Sequence, residues 1–487
     1  MSLTTRALVA ILLMIGFYLL ALAVAGGLLW IVYAEFTYFD HINVRLTMAC
    51  VIGAGVILWS IIPRRDNFEP PGPRVDPSWH PRLFAELEGI ARATGQEMPR
   101  DVFLMPDVNA WVAQRGGVMG FGSHRVMALG MPLMALLTVP EFRAVIAHEF
   151  GHYHGGDTRL GPWIYKTRSA IGRTLRELGR RNSWLVAIFR WYGDMFLKIT
   201  LAISRAQEYA ADQIAAKLGG GAALISGLKQ IHRGALAWNA YLQMEVMPVV
   251  SAGYSPPLGS GFSRFVASPT IKSQVESALE KELADGKADP FDSHPSLPER
   301  IAALQALPSS GEQDQRLAIE LLDDPDSADT SVIISTTRAL RPVAWDAVWE
   351  QVWLPTWRNR TASQAEALHG LTVANLPKAL WSGELRQKIK NPAGTWPTTD
   401  QRVQMVQGTA ACALALALLR DGWTFHMLPG ESFCEKNGHR LEPFNVVPKL
   451  AKQQITQQEW AELCVEMGIS DLSLSAEISS GAATTAG

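Results

Sequence analysis

The chain has 487 residues, room for more than one domain, and 44 Lys and Arg balance 46 Asp and Glu. A net charge of −2 offers no bulk attraction to nucleic acid, so no nucleic-acid partner is expected. The four cysteines, Cys50, Cys412, Cys434 and Cys464, form no Cys-x-x-Cys pair and no disulfide framework, which fits a reducing compartment.

Residues 7–34 carry no charge and are mostly Leu, Ala, Ile and Val. That run exceeds the roughly 20 residues needed to cross a bilayer, and it is longer than the core of a cleaved signal peptide. A second uncharged run, Leu46 to Pro63, follows a short loop. Together they predict a two-span transmembrane hairpin over 1–65. Arg6, Arg64 and Arg65 flank the spans, whereas the loop between them has Glu35, Asp40 and only Arg45. Positive residues favour the cytoplasmic side, so both ends of the hairpin, and the domain that follows, are expected there.

Residues 66–81 are Pro-rich and read as a stiff linker. Leu83, Leu87 and Ile90 mark a helix over 82–95, and Val102–Met105, Ala110–Ala113 and Val126–Leu129 are strand candidates. Gly116, Gly117, Gly120 and Gly122 match no phosphate-binding spacing and suggest a flexible hairpin. Thr138 and Glu141 form a capping box that starts a helix with Phe142, Ile146, Phe150 and Tyr153 along one apolar face.

That helix carries His148-Glu149-Phe150-Gly151-His152, a His-Glu-x-x-His motif. The two His lie one helical turn apart, so both rings can reach one ion. Neutral imidazoles suit zinc, and Glu149 is placed to take a proton from water beside it. A third ligand three residues after Gly155, as in the extended His-Glu-x-x-His-x-x-Gly-x-x-His motif, is argued against by the Thr at position 158. The best candidate is a carboxylate on a later helix, Glu208 in Ser204-Arg205-Ala206-Gln207-Glu208. Asp212 lies one turn on and can hold the ring N–H of a ligating His.

These motifs, followed by Asp292-Ser293-His294-Pro295-Ser296-Leu297-Pro298-Glu299-Arg300-Ile301, resemble the integral-membrane zinc endopeptidases of the HtpX heat-shock protease and CAAX prenyl endopeptidase type. The resemblance covers roughly residues 100–305. It implies a gluzincin-type metallopeptidase domain with one zinc held by His148, His152 and Glu208. It also implies that Glu149 activates water and that His294 lies near the zinc and steadies the transition state. An edge strand near Asn109–Trp111 is implied to pair with an extended protein or peptide substrate.

Between the motifs, Arg159, Lys166, Arg168, Arg173, Arg176, Arg180 and Arg181 make a basic helical stretch, read either as a solvated face or as a contact with anionic headgroups. Residues 184–218 read as one long helix. Arg190, Asp194, Lys198, Arg205, Glu208 and Asp212 share a polar stripe about 80° wide on it. The charges argue against free exposure to lipid. Pro256 to Gly261 reads as a loop and Ile271–Ala284 as a helix.

The expected architecture is mainly α with a small β-sheet. The metallopeptidase domain spans 82–307, an acidic linker 308–330, an α+β accessory domain 331–472 and a disordered tail 473–487. The accessory domain has a short apolar helix over Ala410–Leu419, too short to span. It also has a hairpin turning at Asn437-Gly438 and a last helix capped by Thr456. A contrasting reading is a zinc-stabilised membrane scaffold that binds proteins through 331–470 and cuts nothing. The base at Glu149 disfavours it, since a structural site needs none.

Overall fold

The structure is a computed structural model. It describes residues 3–62, 67–117, 122–153, 161–180, 185–285, 294–307, 314–325, 340–391, 394 and 398–475. The chain divides into two compact units, Met1–Leu236 with Gln274–Ser335, and Ala237–Ser273 with Thr336–Gly487. Residues 237–273 therefore group with the C-terminal part, a division that no single linker at 308–330 expresses. The expected start near Ser331 lies outside the described residues.

In the first unit, α1 (Leu3–Tyr38) and α2 (Val44–Ile61) form the expected hairpin, both long and apolar enough to cross a membrane. Its turn is tied down by the buried Glu35, whose carboxylate accepts from the Asn43 N–H and, at 2.8 Å, from the Thr47 hydroxyl. Arg64 and Arg65 lie outside the described residues. The inner face of α1, through Ala10, Met14, Phe17, Ala21, Ala25 and Leu28, shares one apolar core with α2, α6 (Gly161–Gly179) and the start of α7 (Val186–Gly219). Phe17 meets Phe189 edge-on, and the Tyr192 hydroxyl donates to the Leu13 carbonyl.

The stretch expected as a linker does more than connect. The Val75 N–H donates to Val102 O and the Leu104 N–H to Pro73 O, so Pro73–Val75 runs along β1 (Asp101–Met105). A Cβ at Gly72 would lie 2.1 Å from the Leu104 carbonyl oxygen, and only glycine allows that approach. The sheet order is β1-β3-β2, with β3 (His124–Gly130) parallel to β1 and antiparallel to β2 (Ala110–Arg115). Residues 118–121 of the glycine-rich stretch are outside the described residues.

Helix α3 (Pro81–Thr94) packs on α5 (Val139–Gly151), whose Thr138–Glu141 capping box forms as expected. One apolar face was expected on α5, but Ala144, Val145, Ile146 and Ala147 are all buried, which makes it the central helix of the unit. It lies antiparallel to α7 at backbone contact. A Cβ on Gly151 would come 2.9 Å from Ala211 Cα, and one on Gly219 would come 2.9 Å from Ala144 Cβ. Glycine at both ends of the crossing brings the two helices close enough to share a metal-sized site.

The second unit is built around the helix Thr399–Arg420. It is longer than the expected 410–419 and, at 22 residues, meets the length and hydropathy of a span. Its apolar half, Val406 to Leu418, is instead buried among Trp357, Trp423, Phe425 and Trp460. The expected hairpin is there, with Asn437 and Gly438 both at positive φ as a type I′ turn needs. A further strand, Thr424–Leu428, completes a three-stranded antiparallel sheet. Pro256–Gly261 is only partly a loop, because a helix begins at Leu258. The tail beyond Ser475 is outside the described residues.

Candidate functional site

The site forms where the C-terminal end of α5 crosses the middle of α7. His148 and His152 stack edge-to-face, with ring centroids 4.7 Å apart. Glu208, one residue-pair away across the crossing, faces both: Oε2 is 3.4 Å from His148 Nε2 and Oε1 is 3.5 Å from His152 Nε2. Two ligands of a tetrahedral zinc at about 2.05 Å stand roughly 3.3 Å apart, so these gaps match the edges of such a site. One ligand atom from each of the three residues lies within 4.8 Å of the other two.

One further observation fits a cation. Glu208 Oε2 is buried and makes no hydrogen bond, an orphan that native structures rarely keep. Burial works against a charge on His148, yet the Asp212 and Glu208 carboxylates beside its ring outweigh it and lift its pKa to about 9. His152 is driven the other way, to about 4, by burial and by the His148 charge, which keeps its ring neutral as a ligand must be. Burial opposes the charge on Glu208, but the His148 and His294 rings beside it hold it well below the usual carboxylate range.

Asp212, one turn after Glu208, contacts His148 Nδ1 at 2.9 Å, the second contact expected for a carboxylate behind a metal-ligating His. The polar stripe of α7 runs as anticipated. Arg190, Asp194 and Lys198 are exposed, and Glu208 and Asp212 at its far end are buried. Glu149 feels the same charges. Burial and the Glu208 charge push its pKa up to about 7, with His148, Arg300 and His294 opposing. His294 Nδ1 lies 2.9 Å from Glu208 Oε1 and the ring is 59% exposed, so it faces the open side of the site.

Sequence reasoning assigned no role to Arg300. Its guanidinium donates to Asp212 through Nε at 2.9 Å and Nη2 at 2.5 Å, lies 3.6 Å from Glu208 Oε2 and touches His148 Nδ1 at 3.4 Å. It reaches the site from the helix Leu297–Gln305, whose Ser296–Glu299 capping box fixes its start. The signal was present: Arg300 stands between Leu297 and Leu304 on the buried face, where an apolar residue is expected. Tyr153 was read as part of the apolar face of α5. It lies just beyond that helix and donates its hydroxyl to Val112 O of β2 at 3.0 Å, with the Arg125 guanidinium over its ring.

Residues 77–307 match peptidase family M48. The chain is 29% identical over 203 residues to a protease HtpX homolog of Tropheryma whipplei (strain TW08/27), covering 38% of this chain and 66% of that protein. It is 25% identical over 285 residues to a protease HtpX homolog of Paraburkholderia phytofirmans, covering 55% and 88%. Protease HtpX of Hahella chejuensis is 26% identical over 225 residues, covering 42% and 66%. No solved structure matches.

Proposed function

Because residues 77–307 match peptidase family M48, we propose that the chain is a membrane-anchored zinc endopeptidase with its active site at the crossing of α5 and α7. The observation that carries this reading is the His148–His152–Glu208 group with its orphaned, buried Glu208 oxygen. His148, His152 and Glu208 would hold the ion. Zinc bound there supplies Lewis acidity towards the scissile carbonyl and makes water more acidic.

The chain's own residues account for the remaining steps. Glu149, with a carboxyl tuned near neutrality by burial, takes a proton from the attacking water and returns it to the leaving amine. His294, on the open side, donates to the developing oxyanion. Asp212 and Arg300 hold His148 and Glu208 in place. An extended peptide is received along β2, whose outer edge is free of strand partners among the described residues. The Val112 carbonyl accepts from Tyr153 and ties β2 to the end of α5. The working context is quality control or processing of membrane proteins, with the catalytic domain in the cytoplasm.

Glu149→Gln is the deciding test, since it keeps size and hydrogen bonding and removes the base. The purified variant should remain folded, hold about one zinc per chain and cleave an unfolded protein at least about a hundredfold more slowly than wild type. Wild-type activity should vanish with a chelator and return with zinc. Equal cleavage by the variant would rule out Glu149 as the base. A zinc-loaded wild type that cuts no substrate would favour the scaffold reading.

A further inference from the structure

Helix α6 has a face that the peptidase reading does not use. Ile164, Ala170, Ile171, Thr174 and Leu178 point into the core shared with α1, α2 and α7. On the opposite side Lys166, Arg173, Arg176 and Arg180 fall within a stripe about 80° wide at 100° per residue. Arg180 is paired with Glu177 at 3.2 Å. Among the described residues no carboxylate lies within ion-pair distance of Lys166 or Arg176, and Arg176 is exposed. A solvated helix face normally intersperses both signs; this one is almost purely basic.

Its position gives the charge a meaning. The Arg173 guanidinium donates to Ser60 O through Nε at 3.2 Å and Nη2 at 3.0 Å, in the last turn of α2. The basic stripe is thus anchored where an apolar, membrane-length helix ends, the depth at which hydrocarbon gives way to headgroups. Trp59 of α2, next to Ser60, is exposed at that end, and indoles prefer that interface. Guanidinium and ammonium groups at that depth match a phosphodiester, which guanidinium can engage with two parallel hydrogen bonds.

We propose that the outward face of α6, with Lys166, Arg173 and Arg176 as its donors, is a binding site for the phosphate of an anionic phospholipid at the end of α2. The site is independent of the zinc centre. It holds α6 at the end of α2.

The test uses the full chain in detergent, with phosphatidylglycerol or phosphatidylcholine added and bound lipid counted by native mass spectrometry. Wild type should retain phosphatidylglycerol in preference. Each basic residue near an anionic surface is worth about a fivefold change in binding, so Lys166→Gln with Arg176→Gln should weaken that retention by roughly thirtyfold. Arg173 is left in place because it also caps α2. Arg190→Gln with Lys198→Gln, which removes two exposed charges from α7, should leave retention unchanged. No preference in wild type, or equal loss in both double variants, would overturn the proposal. So would displacement of the lipid by millimolar inorganic phosphate, since the site would then be one for a free anion.

Discussion

Removing the Asp212 carboxylate should separate two jobs that the structure gives it. Asp212 is 2% exposed and stands between His148 Nδ1 and the Arg300 guanidinium, which grips it with two nitrogens. In Asp212→Ala the guanidinium stays buried and loses its main partner, a change that costs about 3–5 kcal/mol when no substitute exists. Here a substitute exists, because Glu208 Oε2 is only 3.6 Å away. The stability loss should therefore sit near the lower end, about 3 kcal/mol. The same move sets Arg300 against the ion for Glu208, and His148 loses the group that orients its ring. Zinc affinity should fall towards the upper end of the 10–100-fold range for such losses. Asp212→Ala with Arg300→Met removes both charges. It should recover most of the stability but not the affinity, because the His148 ring remains unheld. Chelator competition and thermal melting in one detergent read the two quantities side by side. Unchanged affinity in Asp212→Ala would refute the reasoning. Full affinity in the double variant would reduce Asp212 to a counter-ion for Arg300.

Other expectations follow from single contacts. Gly151→Val should loosen the α5–α7 crossing, because even a Cβ would come 2.9 Å from Ala211 Cα; we expect a loss of about 1–3 kcal/mol together with lower zinc content, and a normal melting curve would contradict it. In the second unit, burial raises the Glu245 carboxyl above its ordinary value, with the Gly430 N–H opposing. A raised carboxyl favours the protonated fold, so its cost is absent below the unfolded pKa of about 4.3 and complete once pH passes the folded value. Glu245→Gln should thus raise the melting midpoint by about 2 °C at neutral pH and leave it unchanged near pH 4; the opposite trend would exclude this origin. A reporter fused after residue 66 should be active on the cytoplasmic side, and export of that reporter would invert the proposed topology.

The parts of this molecule legible in its sequence are those whose geometry is set by one helix. His148, Glu149 and His152 share a turn of α5, and Glu208 and Asp212 share a turn of α7, so spacing alone states their relation. The crossing that joins the two pairs was not legible, because it depends on Gly151 against Ala211 and Gly219 against Ala144, contacts 60 to 75 positions apart. Arg300 was overlooked for the same reason: its partner Asp212 is 88 residues away. Elsewhere local signals misled. Gly259, Ser260 and Gly261 read as loop, yet they sit in the helix Leu258–Ala267. A Cβ at Gly261 would meet the Trp345 indole at 2.2 Å and the Tyr241 hydroxyl at 2.3 Å. That glycine is demanded by packing and not by a turn.

The same distinction bears on how the site is assembled. Each helix alone offers an incomplete ligand set, two imidazoles on α5 or one carboxylate on α7. The helix Leu297–Gln305 adds none, but places one cation behind Asp212 and Glu208. Arg300 offsets part of the negative charge that two buried carboxylates build up, and it does so on the side away from His152. That leaves Glu208 with one oxygen bonded to His294 and one without a hydrogen bond. An arrangement that satisfied the fold alone would have paired the second oxygen as well. The second oxygen stands beside the His148 ring, where an ion held by the proposed site would complete its contacts.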